Sequence, residues 1–124
     1  MARFLVIDDD NMLRELMVMT LENNGHGVVS AASGEEALAI FDRQPIDVIV
    51  TDLLMPDDGI AAVVELKQRH PDVPLIVVSG LALHSPRHRE VMQLLGAARV
   101  MPKPFRLLDF RAATDAVLAE AKRK

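Results

Sequence analysis

Four short runs in this chain are apolar almost without alternation: Phe4 to Ile7, Val28 to Ala32, Val48 to Val50 and Leu75 to Val78. Arg99-Val100-Met101 is a weaker fifth. A strand with one wet face alternates polar and apolar residues. Uninterrupted runs belong to strands covered on both faces, as helices cover parallel sheets. A helical stretch follows each run. Asp10 is placed to cap Met12 to Asn24, and Gly25 to stop it in the left-handed conformation. Ser33-Gly34-Glu35-Glu36 has capping-box spacing ahead of Ala37 to Asp42. Ile60 to Arg69 ends before Pro71, Ser85-Pro86 forms a cap and first turn for Arg87 to Leu95, and Phe105 to Ala121 closes the chain. Strand then helix, five times over with short connections, predicts a single α/β domain spanning 1–124. Its parallel five-stranded sheet is wrapped by right-handed crossovers.

Composition narrows the function. At 124 residues, the chain is long enough to bury a core without staples. It has no cysteine, which removes disulfides, thiolate chemistry and cysteine-ligated zinc. A net charge of −4 argues against direct nucleic-acid binding, which calls for a basic stripe. The first apolar run is four residues long and meets three acids, unlike a secretory leader. No segment approaches the roughly 20 apolar residues of a membrane span. A cytoplasmic protein is the expectation.

Ligands of open parallel sheets bind beyond the carboxyl ends of the strands. Asp8, Asp9, Asp52, Ser79 and Lys103 all stand at or just after such an end. Taken singly each has a plain explanation: a solvated acidic turn, a hydroxyl at a strand end, a surface lysine. Their gathering on one rim is the informative fact. Carboxylates crowded together stay ionised only beside a cation, and an oxygen-only ligand set suits Mg2+. Asp8 and Asp9 face opposite ways if the strand continues, so one is expected to bind metal directly and the other through water or from the turn. Asp52 can attack phosphorus as a carboxylate nucleophile, with Lys103 and the Ser79 hydroxyl neutralising phosphoryl oxygens.

The ordered motifs Phe4-Leu5-Val6-Ile7-Asp8-Asp9, Asp52-Leu53-Leu54-Met55-Pro56, Val78-Ser79-Gly80 and Lys103-Pro104-Phe105 resemble the receiver domain of two-component response regulators. The resemblance spans nearly the whole chain. It implies a flavodoxin-like, doubly wound sheet in the order 2-1-3-4-5. It also implies that Asp52 is phosphorylated, as 4-aspartylphosphate, by a histidine kinase or histidine phosphotransfer protein. Asp8, Asp9, Asp52 and the Leu54 carbonyl would hold Mg2+, Ser79 and Lys103 would contact the phosphoryl group, and the Lys103–Pro104 bond would be cis. Output would pass to an unidentified domain or target protein. Such a domain catalyses its own phosphorylation and is not a turnover enzyme.

Several features depart from the family pattern. Receivers usually carry an aromatic residue three positions before the lysine, whereas this chain has Val100. Valine is stiff at its first torsion and cannot swing a ring. The stretch from Asp52 to Gly59 is one residue shorter than usual and includes Asp57 and Asp58. The stretch from Ser79 to Gly96 is about two residues longer, with the apolar Leu81-Ala82-Leu83-His84. On the first helix Leu13, Leu16, Met17 and Thr20 follow core spacing, leaving Met12 and Met19 partly exposed as candidate contacts for a phosphodonor. The histidines (His26, His70, His84 and His88) show no metal-ligand spacing and read as loop or surface residues. Arg87, His88, Arg89 and Arg99 read as a solvated basic face.

Two other classes compete with a phosphorylatable receiver. A receiver fold kept as an interaction module is consistent with Val100. An aspartate-nucleophile phosphohydrolase is disfavoured, because it places an acid two residues beyond the nucleophile, where Leu54 stands. In the family, residues two after the acceptor and two after the hydroxyl govern water access to the acyl phosphate; here these are Leu54 and Leu81. Neither orients water, so slow self-hydrolysis is expected. Replacing them (Leu54→Asn with Leu81→Glu) should shorten the phosphoryl lifetime several-fold in a radiolabel chase. An unchanged lifetime would refute the assignment.

Overall fold

The structure is a computed structural model that describes residues 2–53, 59–80 and 86–122. Strands β1 (Arg3–Ile7), β2 (Gly27–Ala31), β3 (Val48–Thr51), β4 (Leu75–Ser79) and β5 (Arg99–Pro102) alternate with helices α1 (Asn11–Asn23), α2 (Gly34–Phe41), α3 (Gly59–Arg69), α4 (Pro86–Leu95) and α5 (Leu107–Lys122). All the pairings are parallel and the order is β2-β1-β3-β4-β5, the flavodoxin-like arrangement expected from the resemblance.

The uninterrupted apolar runs are explained by two cores. Successive strand residues point to opposite faces. Leu5, Ile7, Ile49, Leu75 and Val77 face one way, against Ala37, Phe41, Val63, Leu66, Met92 and Leu95 of α2, α3 and α4. Phe4, Val6, Val48, Val50, Ile76 and Val78 face the other, against Met17 and Leu21 of α1 and Phe110 and Val117 of α5. The edge strand β2 is less buried, and Ser30 is exposed. At the opposite edge Arg99 of β5 pairs with Glu120 of α5.

The caps predicted at Asp10 and Ser33 form, whereas Ser85, predicted to cap α4, lies outside the described residues. Asp10 Oδ1 accepts from the Leu13 N–H at 3.2 Å, and Gly25, at φ 88°, turns the chain after α1. Ser33 Oγ accepts from the Glu36 N–H at 3.2 Å, while the Glu36 carboxylate reaches back to the Ala32 N–H at 2.7 Å. Gly96, at φ 63°, ends α4 in the same left-handed way.

Some expectations are corrected. Leu16 is exposed rather than core: the buried residues of α1 are Met17 and Leu21, flanked by Leu13 and Val18. Leu16 lies about 100° round the helix from Met17, beyond the sheet-facing stripe. Thr20 is half-buried and turns its hydroxyl onto the Leu16 carbonyl. The last helix begins at Leu107, because Phe105 stacks its ring on Phe110 at 5.9 Å rather than joining the first turn. His26 is no plain surface residue. Its Nδ1 accepts from the Ala2 N–H at 3.2 Å, and its ring lies 5.0 Å from that of Phe4. His70 is exposed but rests on Phe41, at 4.4 Å between ring centres. His84, the acids Asp57 and Asp58 and the apolar stretch from Leu81 lie outside the described residues, as does the side chain of His88. No helix among the described residues is long and apolar enough to cross a membrane.

Candidate functional site

The strand ladders bring the acids level. β1 and β3 pair as far as Ile7 and Thr51, and one further bond, from the Asp52 N–H to the Ile7 carbonyl at 3.0 Å, sets Asp52 beside Asp8. On its other side the Asp8 N–H donates to the Ala31 carbonyl at 3.1 Å. The Thr51 hydroxyl holds the Asp52 carbonyl at 2.9 Å. Two strands away, the Lys103 N–H donates to the Ser79 carbonyl at 3.1 Å, extending the β4–β5 ladder. The Lys103–Pro104 peptide bond is cis, in agreement with the resemblance.

Side chains converge from these positions. One carboxylate oxygen from each of Asp8, Asp9 and Asp52 lies within 4.8 Å of the others. Lys103 Nζ donates to Asp52 Oδ2 at 2.7 Å and to Asp8 Oδ2 at 3.0 Å. Asp8 and Asp52 are buried while Asp9 is exposed in the bend after β1; because the strand stops at Ile7, Asp8 and Asp9 do not face opposite ways but converge. Ser79 is buried, and its Oγ has no hydrogen-bond partner among the described residues. A buried hydroxyl in that state is uncommon.

The electrostatics follow from burial and crowding. Burial pushes the Asp8 carboxyl above its ordinary value of 3.8, and neighbouring Asp52 adds to the rise; the Asp10 N–H, at 2.9 Å from Asp8 Oδ1, and Lys103 oppose it. For Lys103, burial alone would favour the neutral amine. The hydrogen bonds and charges of Asp52 and Asp8 together outweigh that and raise it above 10.5. The ammonium is therefore fully charged at neutral pH. Oxygen-only donors, two buried and one open to solvent, fit Mg2+, which keeps several of its waters.

Asp8, Asp9, Asp52 and Lys103 thus meet in one constellation, and Ser79 reaches the same sheet edge through its carbonyl, which accepts from the Lys103 N–H. Leu54, expected to offer its carbonyl, lies outside the described residues. Sequence reasoning missed Arg14, whose guanidinium grips the Asp8 carbonyl at 2.7 Å. The available signal was a basic residue one helical turn after the capping acid.

Comparison with known proteins agrees with this architecture. The response regulator receiver domain family matches residues 4–115. Among curated relatives, a probable transcriptional regulator, ycf27, from Porphyridium aerugineum is 38% identical over 94% of this chain and 48% of its own length. The response regulator MprA of Mycobacterium leprae is 35% identical over 97% of this chain and 52% of its own. The chain therefore spans about half the length of the curated relatives it matches. Among solved structures, the non-phosphorylated HemR receiver domain from Leptospira biflexa superposes with a TM-score of 0.85 at 29% identity, covering 94% of each chain. A CheY-like receiver domain protein from Methanospirillum hungatei JF-1 shares the fold, with a TM-score of 0.92 at 24% identity over 99% of this chain and 98% of its own. The chain belongs to the response regulator receiver domain family, the receiving module of two-component signalling.

The burial of Asp8 has a measurable consequence. A folded-state carboxyl raised above its unfolded value holds a proton where the unfolded chain has released it, so stability falls as pH rises from 3.8 through the folded value. Without divalent cation, the ionised form of this buried carboxyl thus costs folding stability. Asp8→Asn should therefore melt at a higher temperature than wild type in chelator, and gain less on addition of Mg2+. Calorimetric melts with and without Mg2+ check this; a lower melting temperature in chelator would contradict it.

Proposed function

We propose that residues 1–124 form a phosphorylatable receiver. In this reading Asp52 takes a phosphoryl group from a phosphohistidine of a sensor kinase or phosphotransfer protein in the cytoplasm. The observation that carries the reading is the Lys103 ammonium, shared between Asp8 and Asp52, with the buried Ser79 hydroxyl, unpartnered among the described residues, on the neighbouring strand end. An Asp52 carboxylate oxygen attacks phosphorus in line with the departing nitrogen. The O–P bond forms, the P–N bond breaks, and its electron pair leaves on the imidazole. Lys103 exchanges part of its hold on Asp52 for a phosphoryl oxygen, and the Ser79 hydroxyl donates to another. Mg2+, held by Asp8, Asp9, Asp52 and the Leu54 carbonyl, would neutralise charge accumulating on the phosphoryl oxygens.

The donor side has a matching surface. Met12, Leu13 and Leu16 of α1 and Pro104 and Phe105 line an apolar groove of about 400 Å³ that opens beside Lys103. Met12 and Met19 are 75% and 56% exposed, which supports their role as adaptable contacts for a donor helix. On the output side Val100 packs half-buried against the core under α4, so any signal has to travel by backbone and helix shifts rather than ring rotation. That feature favours the second reading, an interaction module without a working phosphoswitch. The domain phosphorylates its own carboxylate, which hydrolysis returns, rather than turning over a substrate, and it signals to an unidentified output domain or target protein.

Incubation with acetyl phosphate and Mg2+ should load one phosphoryl group per chain, read by intact-protein mass. Asp52→Asn should load none, and Lys103→Met should load more slowly by about 10²-fold or more, the scale of losing an electrostatic stabiliser. No loading of wild type would leave the interaction module. Catalytic turnover of an external phosphoester would point to a hydrolase.

A further inference from the structure

The acids of this site are not equally supported. Asp8 is fixed by Lys103 and by the Asp10 N–H, and Asp52 by Lys103. Asp9 is exposed, and its carboxylate takes no hydrogen bond or ion pair among the described residues. Its direction is therefore set by the backbone on which it stands, and above all by the Asp8–Asp9 peptide plane. The oxygen of that peptide lies past the last rung of β1, whose ladder ends at Ile7. Arg14 supplies what the ladder does not. Its Nη1 donates to the Asp8 carbonyl at 2.7 Å, and its Nη2 donates to Asn11 Oδ1 at 2.6 Å.

The result is a closed ring of bonds around the β1–α1 turn. The Asp10 N–H holds Asp8 Oδ1, Asp10 Oδ1 receives the Leu13 N–H, and the Arg14 N–H returns to the Asp10 carbonyl at 2.9 Å. The guanidinium closes that ring from the helix side. Both of its acceptors are neutral, and among the described residues no carboxylate pairs with it. A surface arginine held only for charge would seek an acid, and several stand nearby in sequence. This one holds a backbone oxygen and an amide oxygen with two separate nitrogens of one rigid planar fork, a spacing that the single nitrogen of an ammonium does not reproduce.

We propose that Arg14 is a positioning residue of the acidic site: by clamping the Asp8 carbonyl and Asn11 it orients the Asp8–Asp9 peptide and so presents Asp9 to a divalent cation. The proposal rests on the reading of Asp8, Asp9 and Asp52 as the Mg2+ site. Groups that hold metal ligands in place typically contribute 10–100-fold in affinity, although they never touch the ion. The clamp acts before the ion arrives, because ordering this turn is part of what binding otherwise has to achieve.

The test is calorimetric titration of the unphosphorylated protein with Mg2+ alone. Arg14→Lys, which keeps the charge but loses the fork, and Arg14→Met, which keeps the stem, should both raise the Mg2+ Kd by about 10-fold or more. Asn11→Ala should raise it less. Combined with Arg14→Met, it should add nothing further, because one clamp has been removed from both ends. With acetyl phosphate as donor, the Mg2+ concentration for half-maximal loading should move in the Arg14 variants, while the rate at saturating Mg2+ stays within about 2-fold of wild type, the split expected of lost binding. A wild-type Kd in Arg14→Lys would overturn the fork argument, and a depressed saturated rate would overturn positioning through the metal. Additive losses in the double variant would separate Asn11 from the clamp. If wild type itself binds no Mg2+, the metal-site reading fails first and takes this inference with it.

Discussion

The Lys103 ammonium, lodged between Asp8 and Asp52, is the contact on which the carboxyl edge of the sheet depends. Three carboxylates with oxygens inside 4.8 Å of one another repel, and two of them are buried, where repulsion is least screened. A single fixed cation makes that packing tolerable without relieving it. It is also in the right place to be displaced. In the proposed reaction an incoming phosphoryl group would compete for the ammonium that now holds Asp52, so the resting ion pair and the reactive arrangement would be two uses of one charge. Burial alone would discharge Lys103; the acids it serves keep it protonated.

The fold exists to bring these groups together across long stretches of sequence. Parallel pairing ends β1 and β3 level, so acids separated by 44 positions become neighbours. The β4–β5 ladder does the same for Ser79 and Lys103. Two apolar layers, one on each face, hold the strands rigidly enough for the rim to be precise. Covered faces leave the strand ends as the place where polar chemistry is exposed to a ligand.

That division explains what could be read from the residues. Uninterrupted apolar runs revealed strands because burial on both faces removes alternation, and the strand ends then pointed to Asp8, Asp9, Asp52, Ser79 and Lys103 without any contact being known. Caps at Asp10 and Ser33 were legible because they act over three or four residues. Leu16 was misplaced because spacing identifies a helical stripe but not its centre, and the sheet takes the face centred on Met17 instead. Arg14 was missed for a different reason: its partner is a backbone oxygen, so its spacing from the capping acid was the one signal and no partner side chain marked it. His26 was misread likewise, since its acceptor role meets a main-chain N–H and its ring packs on Phe4 only after β1 and β2 pair.

The central claim is that phosphorus binds at Asp52 with Lys103 and Ser79 on its oxygens. A crystal structure with beryllium trifluoride, a phosphoryl mimic, and Mg2+ tests it most directly. The account predicts beryllium bonded to an Asp52 carboxylate oxygen, one fluorine on Lys103 Nζ, another on Ser79 Oγ, and the ion against Asp9. Beryllium attached to any other carboxylate, or Lys103 still bound only to Asp8 and Asp52 with the mimic in place, would contradict it.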